Sequence, residues 1–173
     1  EGKKFNYGLE AGSKAELVIA MTYNNVGSPI TVNGFKDKEM IHLGFIAKSM
    51  GHNITIIIEG LNELEIIIEV LNETKMECPN IGLRVRLHSG GSGLWAKSGG
   101  INSKFGLTST EILEAYELME DNNLVKYLTM IHFYIGSAMN SIKPLKKALM
   151  ESGHIYAELK NLGATNLNSI NIG

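Results

Sequence analysis

The chain has 173 residues, of which 44% are hydrophobic and 20% charged, and its formal net charge is −2. This is the composition of one globular domain with its own core, and the small negative charge offers no field that would attract nucleic acid. Glutamates interrupt the most apolar stretch, residues 53–71, which excludes a membrane-spanning helix there. Neither nucleic acid nor a membrane is expected as a partner. A single cysteine, Cys78, permits no internal disulfide and suits a cytoplasmic protein.

Strand-like runs alternate with helical patterns along the chain. Strands are predicted at residues 4–12, 28–34, 53–60, 80–89, 127–137 and 166–173. Helices are predicted between them at residues 13–24, 37–50, 61–76, 109–123 and 141–163. Four capping residues are predicted at the helix starts, and a glycine at the end of the last helix: Ser13, Asp37, Asn62, Ser109 and Gly163.

Strict alternation of strands and helices indicates parallel strands, in either a doubly wound sheet or a (β/α)8 barrel. Strands covered by helices on both faces should be almost continuously apolar. Here the strands alternate an apolar face with a largely polar one, which favours a partial (β/α)8 barrel of about six strands and five helices. The residues predicted to face its lumen are Glu10, Asn33, Glu59, Arg84, Arg86, His132, Tyr134, Ser169 and Asn171. On the opposite face, Ile131, Phe133, Ile135, Ile170 and Ile172 are predicted to pack beneath helices.

The lumen-facing arginines, Arg84 and Arg86, are costly to bury without carboxylates or an anionic ligand. Glu10 and Glu59 are predicted to provide part of the pairing, and a phosphate or carboxylate ligand the rest. The alternative is a closed network of hydrogen bonds and ion pairs that fills the barrel floor. Glycine-containing strand ends at Gly136-Ser137 and at Gly173 favour the ligand, because glycine backbone can approach a phosphate closely.

Two other kinds of site find little support. Residues 91–98 resemble a P-loop, but Ala96 stands where glycine is required and no helix is predicted to follow. The glycine-rich segment 89–106 is instead predicted to be a mobile or substrate-proximal loop. The five histidines and Cys78 form no zinc-binding pattern, so no metal ligand is predicted in the chain.

The motifs "LEAGSKAEL", "VNGFKD", "GLRVRLHSGGSGLWAKSGGINSKFGL", "IHFYIGSAM" and "NIG" resemble the fold type III decarboxylases that use pyridoxal phosphate. Within that family, "NGFKD" and the Gly/Trp-rich segment resemble the biosynthetic type of arginine decarboxylase. The resemblance extends over nearly the whole chain. It implies an alanine racemase-like barrel and decarboxylation of L-arginine to agmatine, a precursor of putrescine and spermidine. The alternatives are a decarboxylase of ornithine, diaminopimelate or carboxynorspermidine, or a barrel that binds pyridoxal phosphate without catalysis.

The resemblance also implies site residues. Glu10, Arg84, Tyr134, Ser137 and Gly173 correspond to positions that bind the cofactor: Ser137 at its phosphate, Arg84 beside its ring and Glu10 in the wall around the Schiff base. The lysine that forms the Schiff base would lie before Glu1, so no catalytic residue is predicted within the chain. Tyr134 stands where the family usually has a ring-stacking histidine, so a phenol replaces a titratable imidazole there.

Residues 1–173 are therefore predicted to be the central part of a barrel domain in a longer polypeptide. The first barrel unit, the last strand and a C-terminal β domain would lie outside it. The family resemblance further implies a homodimer or higher homo-oligomer and an accompanying magnesium ion. The excerpt by itself is expected to be inactive.

Overall fold

The computed structural model describes residues 2–5, 7–88, 105–136 and 141–173. Within these residues the six strands are β1 Leu9–Ala11, β2 Pro29–Val32, β3 Asn53–Ile58, β4 Asn80–Arg84, β5 Leu128–His132 and β6 Ser169–Asn171. The five α-helices are α1 Lys14–Tyr23, α2 Lys38–Ser49, α3 Leu61–Thr74, α4 Ser109–Asp121 and α5 Lys143–Leu162. Short 3-10 helices cover Gly2–Phe5 and Val125–Tyr127. This alternation confirms the predicted fold class, a partial (β/α)8 barrel.

The chain divides into two compact units. The first unit comprises Glu1–Ile58 and Asn62–Ile81, and its strands run in the order β1-β2-β3. β1 pairs in parallel with β2, and β2 with β3. Ile30 lies between Leu9 and Ile54 in this register and is fully buried, as is Ile54. The apolar positions predicted from alternation therefore form the core of this unit.

The second unit comprises Glu59–Leu61 and Gly82–Gly173. β5 pairs in parallel with β6, with His132 opposite Asn171. Just beyond β4, the backbone N–H of Val85 donates to the carbonyl of His132 at 2.7 Å. The backbone N–H of Phe133 continues the pairing beyond β5 by donating to the carbonyl of Asn171 at 3.0 Å.

The strand faces follow the predicted alternation with two exceptions. Ile131, Phe133 and Ile135 are buried as expected. Ile170 and Ile172 are 38% and 45% exposed, so within the described residues they do not pack beneath a helix. On the second face of β3, both Thr55 and Ile57 are buried.

Local side-chain chemistry defines several helix ends as predicted. The Ser13 hydroxyl accepts from the N–H of Glu16 at the start of α1, and the Asp37 carboxylate accepts from the N–H of Met40 at 2.9 Å at the start of α2. Gly163 follows α5 with a φ of +125°, a conformation that favours glycine. These three positions are confirmed.

Two predicted caps are wrong. α3 begins at Leu61, so Asn62 is already helical. α4 is capped by Thr108 and not by Ser109, because Thr108 and Glu111 form a reciprocal capping box. The N–H of Thr108 donates to the Glu111 carboxylate at 2.8 Å, and the N–H of Glu111 donates to the Thr108 hydroxyl at 3.3 Å.

The strands are shorter than the apolar runs that predict them. β1 covers only Leu9–Ala11 because Gly2–Phe5 forms a 3-10 helix, and β5 ends at His132 although the apolar pattern continues to Ile135. None of the helices in the described part of the chain has the length and hydropathy needed to cross a membrane.

Candidate functional site

Several predicted lumen-facing residues lie at the carboxyl ends of the strands. Glu59 directly follows β3, Arg84 is the last residue of β4, and Tyr134 and Gly173 each lie two residues beyond β5 and β6. In (β/α)8 proteins this end of the strands carries the active site. Ser137 lies outside the described residues, as do residues 89–104 of the predicted glycine-rich loop.

Tyr134 and Gly173 are in direct contact in the second unit. Gly173 has a φ of +86°, and a Cβ atom at this position would lie 2.7 Å from Cδ2 of Tyr134 and 3.2 Å from the carbonyl oxygen of Phe133. Glycine is therefore required both by the backbone conformation and by the lack of space. The Gly173 N–H donates to Oδ1 of Asn171 at 3.0 Å. The contact brings together the ends of two neighbouring strands, which the sequence predicted.

Arg84 and Glu59 form an ion pair in the same unit. Nη1 of Arg84 donates to Oε2 of Glu59 at 2.9 Å, and the two side chains are only 13% and 9% exposed. The prediction that Glu59 neutralises a lumen arginine is confirmed. Because the pair is largely buried, the guanidinium is held in a fixed direction and its charge is weakly screened.

Phe105 and Gly106 pack against Arg84. The Arg84 guanidinium carbon lies 5.3 Å from the centre of the Phe105 ring, a distance at which the ring attracts the cation. Gly106 has a φ of +87°, and a Cβ there would come within 3.1 Å of the Arg84 carbonyl oxygen. The N–H of Leu107 donates to that same carbonyl at 2.7 Å. Phe105 and Gly106 therefore support Arg84, a role that sequence reasoning missed.

Arg86 is not paired in the way predicted. Its Nε atom is buried and makes no hydrogen bond to any part of the chain that the structure describes. Its positive charge contributes to lowering the pKa of the Glu111 carboxyl, after the larger effects of the hydrogen bonds from the Thr108 backbone and hydroxyl. Arg86 thus influences the first turn of α4.

Glu10 belongs to the first unit, where its partner is an amide and not an arginine. Nδ2 of Asn33 donates to Oε1 of Glu10 at 3.4 Å, and Glu10 is exposed. The backbone N–H of Asn33 donates to the carbonyl of Ala11 at 2.9 Å, which fixes the end of β2 against β1. The two residues predicted to face the lumen from these strands are therefore adjacent.

The remaining predicted lumen residues have local roles. His132 is 2% exposed within the second unit. Ser169 donates from its hydroxyl to Oδ1 of Asn168 at 2.6 Å, and Asn171 accepts from Gly173. Among the residues that the structure describes, no group of three His, Cys, Asp or Glu side chains could hold a metal ion.

One buried ion pair had no signal in the sequence. Lys36, of the "NGFKD" segment, is 0% exposed and its Nζ lies 3.1 Å from Oε2 of Glu63, whose side chain is 3% exposed. The two residues are 27 positions apart. A lysine after a strand is normally expected in solvent, so local patterning could not identify this pair.

The described part of the second unit offers a ring face at Tyr134, closely approachable backbone at Gly173 and a fixed cation at Arg84. An aromatic, anionic ligand suits this combination, since rings stack on rings and anions are attracted to buried cations. Glu59 already neutralises much of the Arg84 charge, so Arg84 is suited to orienting a ligand more than to binding its phosphate alone.

Comparison with known proteins agrees with this chemistry. The sequence model of the family described as "Pyridoxal-dependent decarboxylase, pyridoxal binding domain" matches residues 3–173. The biosynthetic arginine decarboxylase of Bacteroides thetaiotaomicron is 45% identical over 173 residues, which cover 99% of this chain and 27% of that protein.

Solved structures show the same relationship. The crystal structure of the biosynthetic arginine decarboxylase SpeA from Campylobacter jejuni is similar, with 60% identity, a TM-score of 0.90, and coverage of 99% of this chain and 27% of that one. Diaminopimelate decarboxylase from M. jannaschi is 25% identical with a TM-score of 0.75, covering 99% of this chain and 39% of that one. The present chain spans about a quarter of the length of the arginine decarboxylases that it matches. By the extent of the family match, the chain belongs to the pyridoxal-dependent decarboxylases and lies in their pyridoxal binding domain.

Proposed function

We propose that the full-length parent protein of this chain decarboxylates L-arginine to agmatine and carbon dioxide, with pyridoxal phosphate as cofactor. This carboxy-lyase reaction would feed the synthesis of putrescine and spermidine. The observation that carries the proposal is the high identity to biosynthetic arginine decarboxylases over nearly the whole chain, against 25% to a diaminopimelate decarboxylase. Residues 1–173 would form the central part of the barrel, with a preceding barrel unit, a last strand and a C-terminal β domain contributed by the rest of the parent.

The residues at the ends of β5 and β6 fit the cofactor. The missing Cβ of Gly173 lets this strand end pack against Tyr134, and the half-buried Tyr134 ring provides a stacking face. Since the Gly173 N–H already donates to Asn171, its contribution is close approach of the backbone and not that donor. Ser137 would add a hydroxyl donor to the phosphate.

Arg84, Tyr134 and Glu10 would orient the reacting groups. Arg84, fixed by Glu59 and Phe105, would lie beside the cofactor ring and hold the ring in a constant orientation. Tyr134 would hold the ring by stacking, without the titratable imidazole that the family resemblance implies at this position. When bound, pyridoxal phosphate supplies an electron sink for the electron pair left as the α-carboxylate departs. The lysine that binds the cofactor would come from the segment before Glu1.

The decisive experiment uses the full-length parent with pyridoxal phosphate and magnesium, the ion that the family resemblance implies. Carbon dioxide release is measured from arginine, ornithine, diaminopimelate and carboxynorspermidine in parallel. We expect release from arginine at a kcat/KM at least about 100-fold above that for the other substrates, since a site that hydrogen-bonds a guanidinium rejects substrates without one. Release from ornithine but not arginine would overturn the proposal, and cofactor binding without release from any substrate would favour a non-catalytic barrel.

The Ser137 assignment has its own test. Ser137→Ala should weaken pyridoxal phosphate affinity by about 5- to 10-fold, the loss expected for one hydrogen bond to a charged group. The affinity is measured by titrating the apo form of the parent and following cofactor absorbance. Ser141→Ala serves as the control, because Ser141 is exposed and its hydroxyl accepts only from the nearby N–H of Lys143 in the described contacts. Equal affinity of both variants would count against the phosphate role.

The proposal includes a homodimer or higher homo-oligomer in the cytoplasm, without nucleic acid or membrane partners. The single cysteine of the chain, Cys78, permits no internal disulfide and supports a reducing compartment. Light scattering of the purified parent measures its mass, and a monomer at micromolar concentration would contradict the oligomeric part alone.

A further inference from the structure

The loop between β2 and α2, residues 33–37, is closed from inside by one buried residue pair. The Glu63 carboxylate of α3 is bound at both ends of Lys36: Oε2 lies 3.1 Å from Nζ, and Oε1 accepts from the backbone N–H at 3.1 Å. Nζ of Lys36 also donates to the carbonyl of Gly34, two residues earlier. The side chains of Lys36 and Glu63 are 0% and 3% exposed, so water does not compete for these bonds.

The closed loop leads directly to Asn33 and Glu10. Gly34 has a φ of +72°, and a Cβ there would lie 3.0 Å from the carbonyl oxygen of Gly12, so the loop backbone rests on the turn after β1. The Gly34 N–H donates to Oδ1 of Asn33 at 3.0 Å, which turns Nδ2 of Asn33 toward Oε1 of Glu10 at 3.4 Å. A continuous series of contacts therefore joins the buried pair to Glu10, all within the first unit.

A buried ion pair of this kind is poorly explained by stability alone. The free-energy cost of removing two charges from water is about as large as the gain from their attraction. Proteins in which apolar side chains replace such a pair are therefore often equally stable. The neighbouring Lys38 shows the inexpensive alternative, since it pairs with Glu69 at 2.9 Å and Glu73 at 2.7 Å while remaining 44% exposed. Lys36 instead makes three bonds with fixed directions, and these bonds define one conformation of the loop.

We infer that Lys36 and Glu63 are positioning residues for the reaction, which act by holding Asn33 and thereby Glu10 in the wall of the cofactor site. This inference rests on the proposed function, because the placement of Glu10 beside the cofactor belongs to that proposal. Neither Lys36 nor Glu63 is expected to touch cofactor or substrate.

The test compares two variants of the full-length holoenzyme. Lys36→Met/Glu63→Leu replaces the pair by apolar side chains of similar size, which keeps the core filled while removing the three bonds made by Lys36. Lys38→Met is the control, since it removes a lysine charge two residues along the chain, from exposed ion pairs that also involve α3. Three quantities are measured: the pH titration of the bound cofactor's visible absorbance, kcat and KM for arginine, and amide hydrogen exchange of residues 33–36.

For the double variant we expect at least about tenfold faster exchange of the amides at positions 34 and 36, because the Glu63 acceptor of the second is removed and the Asn33 acceptor of the first is no longer held in place. We also expect a shifted midpoint of the absorbance titration and a kcat lowered about 10- to 100-fold with KM changed less, because Glu10 moves relative to the reacting groups. Lys38→Met should match the wild type in all three. A double variant with wild-type absorbance titration and kcat would overturn the inference.

If the double variant does not fold, Glu63→Gln decides the question, because it keeps the side-chain volume and the acceptor for the Lys36 N–H but removes the charge that binds Nζ. A shifted absorbance titration in this variant supports the positioning role, and an unchanged one overturns it. Failure of the proposed function is distinguishable: wild-type parent would then bind pyridoxal phosphate without releasing carbon dioxide from arginine, while absorbance and exchange would still report on the loop.

Discussion

Two strand-end regions of the molecule are built in opposite ways. In the first unit, the loop after β2 is closed by the buried side chains of Lys36 and Glu63, which satisfy each other. In the second unit, the ends of β5 and β6 meet through a glycine backbone against a half-buried ring, at Gly173 and Tyr134. Where side chains are bonded inward, the loop is fixed and has little left to offer a ligand. Where the backbone is bare and the ring partly exposed, space remains for one.

The largest expected effect comes from removing only one of the two charges of the buried ion pair in the first region. Lys36→Met should lower the stability of the domain by about 3–5 kcal/mol, because the Glu63 carboxylate would stay buried without its cation. Lys36→Met/Glu63→Leu should recover most of that loss. Thermal unfolding of the parent measures both, and an equal loss in single and double variants would show that shape, not charge, dominates this loop.

The second region should respond to a single methyl group. Gly173→Ala places a Cβ 2.7 Å from Tyr134 in a backbone conformation that costs other residues about 1–2 kcal/mol. We expect pyridoxal phosphate affinity of the parent to fall by about tenfold or more, measured by cofactor titration. Gly153→Ala in α5 is the control, because nothing lies within 4 Å of its added Cβ and alanine is favoured in helices. Similar affinities for the two variants would contradict the role of the Gly173 contact.

Tyr134 separates stacking from hydroxyl chemistry in the same region. Tyr134→Ala should weaken cofactor affinity by about 2- to 12-fold, which corresponds to 0.5–1.5 kcal/mol for a ring contact. Tyr134→Phe should keep the wild-type affinity, because the ring face is retained. Quenching of protein fluorescence during cofactor titration provides the measurement. If phenylalanine and alanine weaken binding equally, the hydroxyl and not the ring is responsible.

The smallest effect is expected at the start of α4, away from both regions. Thr108→Ala should lower stability by about 1 kcal/mol, while Ser109→Ala should change it little, because only Thr108 closes the capping box. Hydrogen bonds from Thr108 hold the pKa of the Glu111 carboxyl below its usual value of 4.5. A lowered pKa stabilises the folded state above pH 4.5, and this contribution is lost as the pH falls through the folded-state pKa.

The difference between Thr108→Ala and wild type should therefore shrink when thermal unfolding is repeated from pH 7 down to about pH 4. A difference that grows toward low pH would contradict the assignment of Glu111 to the capping box.

Local patterning predicted most of the secondary structure because its rules act over a few residues. The apolar period placed all five helices, and the hydrogen-bonding side chains of Ser13 and Asp37 identified two of their starts. The wrong cap at Ser109 was avoidable, since Thr108 and Glu111 have the spacing of a capping box. The overlong predicted strands could not have been avoided from the sequence. An apolar run continues beyond the last paired residue when loop side chains are also buried, as at Phe133 and Ile135.

The candidate site was predictable only in part. Alternation along the strands and the motif resemblance together selected Tyr134, Gly173, Arg84 and Glu10. The contacts of these residues were harder to predict. Glu59 was correctly paired with an arginine, but Glu10 contacts Asn33. Phe105 and Gly106 support Arg84, which was not predicted. Several carboxylates compete for each cation in a sequence, and nothing local chooses among them.

The sequence by itself determined the parallel α/β alternation, the family and the chemistry expected at the strand ends, since periodicity and short motifs are written in neighbouring residues. Tertiary structure decided which charges meet. Arg84 and Glu59 are 25 positions apart, and Lys36 and Glu63 are 27 apart. The physical reason is burial: a charge removed from water requires a partner at hydrogen-bonding distance, and only the fold determines which carboxylate comes that close.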